Sequence, residues 1–138
     1  MTVEIETYRN TIYPWQCDNM GHMNTQFYCG IFDAASFHLL SRLAHFSEIQ
    51  ARDQGWADVK ITIEYKLETH SGALVYVKSR LTRLGSKAIE YHHELYNTET
   101  GALHATADVV TVLFDQVARK ALPLDETMRE RARALGVG

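Results

Sequence analysis

The stretch Trp15–Leu43, WQCDNMGHMNTQFYCGIFDAASFHLLSRL, changes character at its middle. From Gln16 to Asn24 it is polar and irregular, and it holds Cys17, Asp18, Asn19, His22 and Asn24 around Gly21. After Asn24, the apolar residues Phe27, Ile31, Phe32, Ala35, Leu39 and Leu43 fall on one helical stripe. The pattern predicts a single helix from Asn24 to about Leu43. Asn24 is its N-cap, because its side chain can accept from an otherwise unpaired first-turn amide. A carboxylate, an imidazole and two amides thus stand just ahead of the positive end of a helix dipole, a place that favours anions and a developing oxyanion.

Outward from this stretch the period changes. Val3–Tyr13 alternates weakly and predicts a first strand, stopped by Pro14. Ser47 with Gln50 fits a capping box for a short second helix, with Gly55 closing it. From Val59 the alternation is strict: Val59, Ile61, Ile63, Tyr65 and Leu67 are apolar, and Lys60, Thr62, Glu64, Lys66 and Glu68 are polar. That pattern predicts an antiparallel strand with one face buried. Further strands are expected over Leu74–Leu84, Ala88–Asn97 and Ala102–Phe114, the last apolar enough to be central. Gly85-Ser86 makes a tight hairpin and Thr98–Gly101 a turn. A final helix starts at Pro123 and Asp125, carries Arg129, Arg131 and Arg133 towards its end, and stops before Gly136. Strands grouped after a long apolar helix mean α+β, and the helix is best covered by a curved antiparallel sheet of five or six strands wrapped around it.

The 138 residues suit one domain. Apolar content of 46% and charged content of 22% are those of an ordinary soluble protein. A net charge of -3 argues against nucleic-acid binding. No apolar run approaches the ~20 residues of a membrane span. The N-terminus has acids where a signal peptide has bases. Two cysteines, Cys17 and Cys29, make no disulfide framework, so a cytoplasmic location is expected.

With the strand order and the loop DNMGHMN in hand, the chain resembles the hot-dog fold acyl-CoA thioesterases, in their hydroxybenzoyl-CoA thioesterase-like branch. The loop pattern of that family, D-x-D-x-x-G-H-x-N-N followed by an aromatic, stands here as Gln16-Cys17-Asp18-Asn19-Met20-Gly21-His22-Met23-Asn24-Thr25 with Phe27-Tyr28 after it. The helix segment Phe32-Asp33-Ala34-Ala35-Ser36 is similar too. The likeness extends over nearly the whole chain through strand order, but its specific part is about twenty residues. Gln16 replaces the first Asp and Thr25 the second Asn. The resemblance implies that Asp18 is the catalytic carboxylate and that the Thr25 N–H is the oxyanion donor. It also implies a CoA-phosphate site at the hairpin tip, where Arg83, Ser86 and Lys87 lie, with Arg80 and Arg119 as weaker candidates. It implies a homodimer or dimer of dimers, with the ligand set between subunits.

The residues themselves keep a plainer role open at each place. Asp18 also suits a turn, since Asp-Asn is common there. Thr25 is also an ordinary first-turn residue, and His22 a loop-stabilising histidine rather than a proton shuttle. Gly21 serves a tight backbone conformation. Asn24, Tyr28 and Asp33 are supporting, substrate-side candidates. The Cys17–His22 pair suggests a thiol nucleophile, but nothing in the sequence lowers the thiol pKa. The histidines at 38, 45, 70, 92, 93 and 104 lack zinc-ligand spacing. No metal and no cofactor beyond the CoA of the substrate is expected. There is no Gly-rich nucleotide loop and no Gly-x-Ser-x-Gly elbow.

The expected activity is hydrolysis of an acyl- or aroyl-CoA thioester to a carboxylic acid and free CoA, with Asp18 as nucleophile or general base. Two other classes remain open: a non-catalytic acyl-CoA-binding or regulatory domain, which binds without turnover, and a hot-dog hydratase or dehydratase, which changes unsaturation without releasing thiol.

Overall fold

The computed structural model describes residues 2–137. It has six strands and three α-helices: β1 Ile5–Thr11, α1 Thr25–Leu40, α2 Phe46–Ala51, β2 Gln54–Tyr65, β3 Leu74–Leu84, β4 Ala88–Asn97, β5 Leu103–Asp115, β6 Lys120–Leu122 and α3 Glu126–Ala134. All pairings are antiparallel. The strands run in the order β1-β3-β4-β5-β2, and β6 pairs with the end of β5. This is the hot-dog arrangement.

α1 begins where its cap dictates. Asn24 Oδ1 accepts the Gln26 N–H at 3.1 Å. Ile31, Phe32, Ala35 and Leu39 face the core, joined by Tyr28, Ser36 and Leu40. Phe27 packs against the core only in part. The regular helix ends at Leu40, short of the expected Leu43, because the chain tightens there. The Arg42 and Leu43 amides bond to Leu39 and Leu40, three residues back, and Ser41 Oγ donates to the His38 carbonyl. Leu43 and Ala44 stay buried within that turn.

β3 and β4 match the expected spans. In the loop between them, the Gly85 N–H bonds Ala88 O at 2.8 Å. A Cβ on Gly85 would lie 3.1 Å from that carbonyl, a tight contact that favours glycine here. β5 runs one residue later than expected, and β6 is too short to carry a period.

Four expectations are corrected. The cap of α2 is His45, whose N–H donates to Glu48 Oε1 at 3.3 Å, and not Ser47. Asp53, at φ 54°, makes the left-handed turn out of α2, so Gly55 lies inside β2 and closes nothing. β2 therefore starts at Gln54 instead of Val59, with a bulge between Asp58 and Lys60. Most importantly, the alternating apolar residues are mostly not buried: Val59 is 64% exposed, Tyr65 51% and Leu67, just past the strand, 52%, while Ile63 packs in part against the core. β2 is a sheet edge paired only with β5, and α1 lies nearest β1 and β3. The apolar face that the sequence writes into β2 is thus left largely uncovered by this chain.

Behind α1 a polar chain crosses the core. His93, fully buried, places Nδ1 2.6 Å from Ser79 Oγ and Nε2 2.9 Å from Ser36 Oγ. Ser36 Oγ donates to the Phe32 carbonyl, so His93 Nε2 is the donor to Ser36. Nδ1 is then the acceptor for Ser79, which in turn meets Thr7 Oγ1 at 2.7 Å. Burial, aided by the neighbouring His92, depresses the His93 pKa to about 3. The imidazole is neutral, and the Phe32 ring stacks on it.

Candidate active site

The loop Cys17–Asn24 is fixed by its own backbone. Asp18 N–H bonds His22 O at 2.9 Å and Gly21 N–H bonds Asp18 O at 3.0 Å. Gly21 sits at φ +78°, where a side chain is disfavoured. The Asp18 carboxylate closes this turn: Oδ1 accepts the Met20 N–H at 2.9 Å and the His22 N–H at 3.3 Å. Both contacts fall on Oδ1, so Oδ2 is the oxygen left to act on something else. The turn role and the chemical role of Asp18 are thus compatible. Gln16 is buried and structural. Its Oε1 accepts the Tyr13 N–H at 2.8 Å, and its carbonyl accepts the Asn24 N–H at 2.9 Å.

A second segment, Glu68–Ala73, holds the loop from the other side. Met23 N–H bonds Thr69 O at 2.7 Å and Ser71 N–H bonds Gly21 O at 3.1 Å. Thr69 is fully buried; it accepts from the Tyr28 hydroxyl at 3.0 Å and meets His104 Nδ1 at 2.9 Å. Burial raises the Tyr28 pKa, which keeps the phenol protonated as that donor. His22 Nε2 lies 3.2 Å from Glu68 Oε2.

Between the start of α1 and the end of β2 opens a cleft of about 240 Å³, lined by His22, Thr25, Tyr28, Tyr65, Leu67 and Glu68, among others. Thr25 is the first residue of α1. Asn24 takes the Gln26 and Phe27 amides, through Oδ1 and its carbonyl, and not that of Thr25. Thr25 lines the cleft, and its N–H is one of the first-turn amides at the positive end of the helix. Asp18 is on the loop that forms this wall but does not itself line the cleft. The walls from Tyr65 to Glu68 were not among the residues expected from sequence; their signal was the end of an alternating strand, which names no partner.

The remaining candidates lie elsewhere. Asp33 lines a separate cavity of about 90 Å³ with Ser36, Phe37, Leu40, Trp56 and Asp58. Partial burial raises its pKa, and the Asp58 carboxylate adds to the rise. Arg83 pairs with Glu90 at 2.9 Å, while Ser86 and Lys87 are exposed at the β3–β4 tip. That tip is at the far end of β3 from Leu74, which follows the segment holding the loop. β3 is eleven residues long, so its two ends are ten rises apart, about 33 Å at ~3.3 Å per residue. One chain does not bring Arg83 and Lys87 to the helix start. Arg80 pairs with Glu94 at 3.6 Å, and Arg119 stacks on Phe114.

The chain's residues 12–132 match the family model described as the thioesterase-like superfamily, and the chain belongs to that family. It is 23% identical to the betainyl-CoA thioesterase of Pseudomonas aeruginosa over 98% of this chain and 86% of that protein. Among solved structures it is similar to a Staphylococcus aureus protein determined in complex with CoA, with TM-score 0.88 and 16% identity over 98% of this chain and 86% of that one. It is also similar to a 1,4-dihydroxy-2-naphthoyl-CoA thioesterase from Synechocystis, with TM-score 0.81 and 19% identity over 94% and 96% of the two chains. These likenesses establish the fold. No helix among the described residues is long and apolar enough to cross a membrane.

Proposed function

We propose that the protein hydrolyses acyl-CoA thioesters to a carboxylic acid and free CoA, as a soluble cytoplasmic enzyme that needs no metal or redox cofactor for turnover. What supports this reading is the loop Gln16–Asn24, which carries Asp18 and leads into the N-terminus of α1 beside a cleft, in a chain of the thioesterase-like superfamily. The thioester carbonyl oxygen takes the Thr25 N–H and the helix dipole as its oxyanion site. Asp18 Oδ2 either attacks the carbonyl carbon or deprotonates the attacking water, and the C–S bond breaks to release the thiol. Gly21 and Asn24 hold the loop and cap, Tyr28 and His22 form cleft walls, and Asp33 supports α1.

The working unit in this reading is a homodimer or a dimer of dimers. Arg83, Ser86 and Lys87 of one chain sit too far from its own helix start to hold the CoA phosphates there, so a partner's hairpin tip must do so. The uncovered apolar face and free edge of β2 are what a second copy would cover. A thiol-release assay across cationic, aromatic, short-chain and long-chain acyl-CoAs tests the activity. Turnover of at least one class is expected; tight binding of all with release of none would make this a binding domain, and changed unsaturation without thiol would make it a hydratase.

A further inference from the structure

His22, Glu68 and His70 come together by register. Residues 21–23 and 69–71 form a two-stranded antiparallel ribbon in which His22 is directly opposite His70. The two backbone bonds flank that pair, Met23 N–H to Thr69 O and Ser71 N–H to Gly21 O. His22 and His70 therefore form a non-hydrogen-bonded pair, the kind whose side chains stand closest. Glu68 is two residues before His70 and so projects from the same face of the ribbon. The imidazole rings meet edge to face with centroids 4.8 Å apart, and Glu68 Oε2 is 3.2 Å from His22 Nε2. One ligating atom from each of the three residues lies within 4.8 Å of the other two.

We infer that His22, Glu68 and His70 form a binding site for a first-row divalent metal ion of the zinc class, at the mouth of the cleft. Two imidazoles and one carboxylate are the borderline nitrogen and oxygen donors that such ions select over magnesium or calcium. Zinc holds such ligands at about 2.0–2.2 Å, so the three groups must close in by an ångström or so. Glu68, with 67% of its side chain exposed, and the exposed His70 make that movement by side-chain rotation alone. Lys66 pairs with Glu64 at 3.8 Å and leaves Glu68 available. The opposite face of the ribbon is anchored by buried Thr69 through Tyr28 and His104, so the ligands stand on a fixed backbone. Three protein ligands leave a fourth position for water. The ion ties the loop that carries Asp18 to the segment beside it. It takes no part in the hydrolytic steps proposed above, and the inference holds whether or not Asp18 is catalytic.

The test is metal binding by the untagged, EDTA-treated full chain, measured by competition with a chromophoric zinc chelator and by the visible spectrum of Co²⁺. One zinc per chain is expected, with cobalt bands of imidazole ligation. His70→Ala and Glu68→Gln should each weaken binding by at least about tenfold, no less than the loss of a single outer-shell partner costs, and His92→Ala should leave it unchanged. Circular dichroism of the metal-free variants confirms that they fold; if His70→Ala does not, Glu68→Gln, on an exposed side chain, carries the same test. Wild-type protein that binds no zinc at millimolar concentration overturns the inference. So does equal affinity in wild type and Glu68→Gln, or loss of binding in His92→Ala alone.

Discussion

His93 Nε2 donates to Ser36 Oγ across 2.9 Å in the middle of the core, joining α1 to β4 by a polar contact between two buried residues. Both imidazole nitrogens are hydrogen-bonded in the neutral form, and burial disfavours the charge that a second proton would bring. The folded-state pKa of about 3 lies well below the value near 6.5 of an unfolded histidine. The unfolded chain therefore binds the proton first as pH falls. The stability that this neutral histidine contributes is complete above about pH 6.5 and is lost between there and about pH 3, by at most about 1.4 kcal/mol per pH unit. Urea unfolding at fixed protein concentration and pH 7, 6 and 5 should show this slope in wild type and a shallower one in His93→Asn. Equal slopes would place the acid sensitivity in other groups.

Asp18→Asn retains the oxygen that accepts from Met20 and His22, so the loop should keep its shape while losing the carboxylate's charge and basicity. The expected result is a fall in kcat of roughly a hundredfold or more, the scale of a lost acid–base group, with an unchanged melting temperature. Activity within about threefold of wild type would move the chemistry elsewhere. Asp33→Asn is the next variant to measure, since Asp33 and Asp58 line one small cavity and burial, with that neighbour, raises the Asp33 pKa from its ordinary value.

How much of this was legible in the sequence depends on the range of the interaction. Asn24, Gly21 and the ends of β3 and β4 are fixed by neighbours a few residues away, and the sequence reading placed them correctly. The start of β2 was misread because Asp53, not Gly55, takes the left-handed turn, an assignment that residue type alone does not favour. The uncovered face of β2 could not be foreseen: alternation says that one face is apolar, not what covers it. Loop residues Asp18 and His22 were singled out through their motif. Glu68, Thr69 and His70 were missed as partners of that loop because only the long-range pairing of Met23 with Thr69 brings them there. The same holds for the histidines, whose spacing along the chain hid a cluster that forms across two strands.

Replacing Arg83 and Lys87 together by Ala removes two exposed cations from the β3–β4 tip, with only the exposed Arg83–Glu90 pair lost from the fold. Such a surface pair contributes at most about 1 kcal/mol, so stability should barely change. KM for a CoA ester should rise, and KM for the same acyl group on a short thiol lacking the nucleotide should not. Added salt should reduce the difference between wild type and variant, because phosphate contacts on a surface are screened. An equal effect on both substrates would assign these residues to the fold and not to the nucleotide.

The sharpest consequence of the distances within one chain concerns the dimer. Asp18 and Thr25 lie at one end of the sheet and Arg83 and Lys87 at the other, separated by the length of β3. In the proposed arrangement a CoA ester reaches both across two copies, and a second copy would cover the exposed apolar residues of β2. Sedimentation at micromolar concentration should therefore give the mass of two or four chains, and a fully active monomer would refute the arrangement. Mixing two defective chains tests the shared site directly. Asp18→Asn chains and Arg83→Ala/Lys87→Ala chains are each defective in both sites of their own dimer. After subunit exchange, half of the dimers are mixed, and each mixed dimer has one site with Asp18 from one chain and the cations from the other. Under two-fold symmetry about a quarter of all sites should regain wild-type KM and kcat. Exchange demonstrated by mass, with no recovery of activity, would mean that each chain carries a complete site and that the hairpin tip serves another purpose.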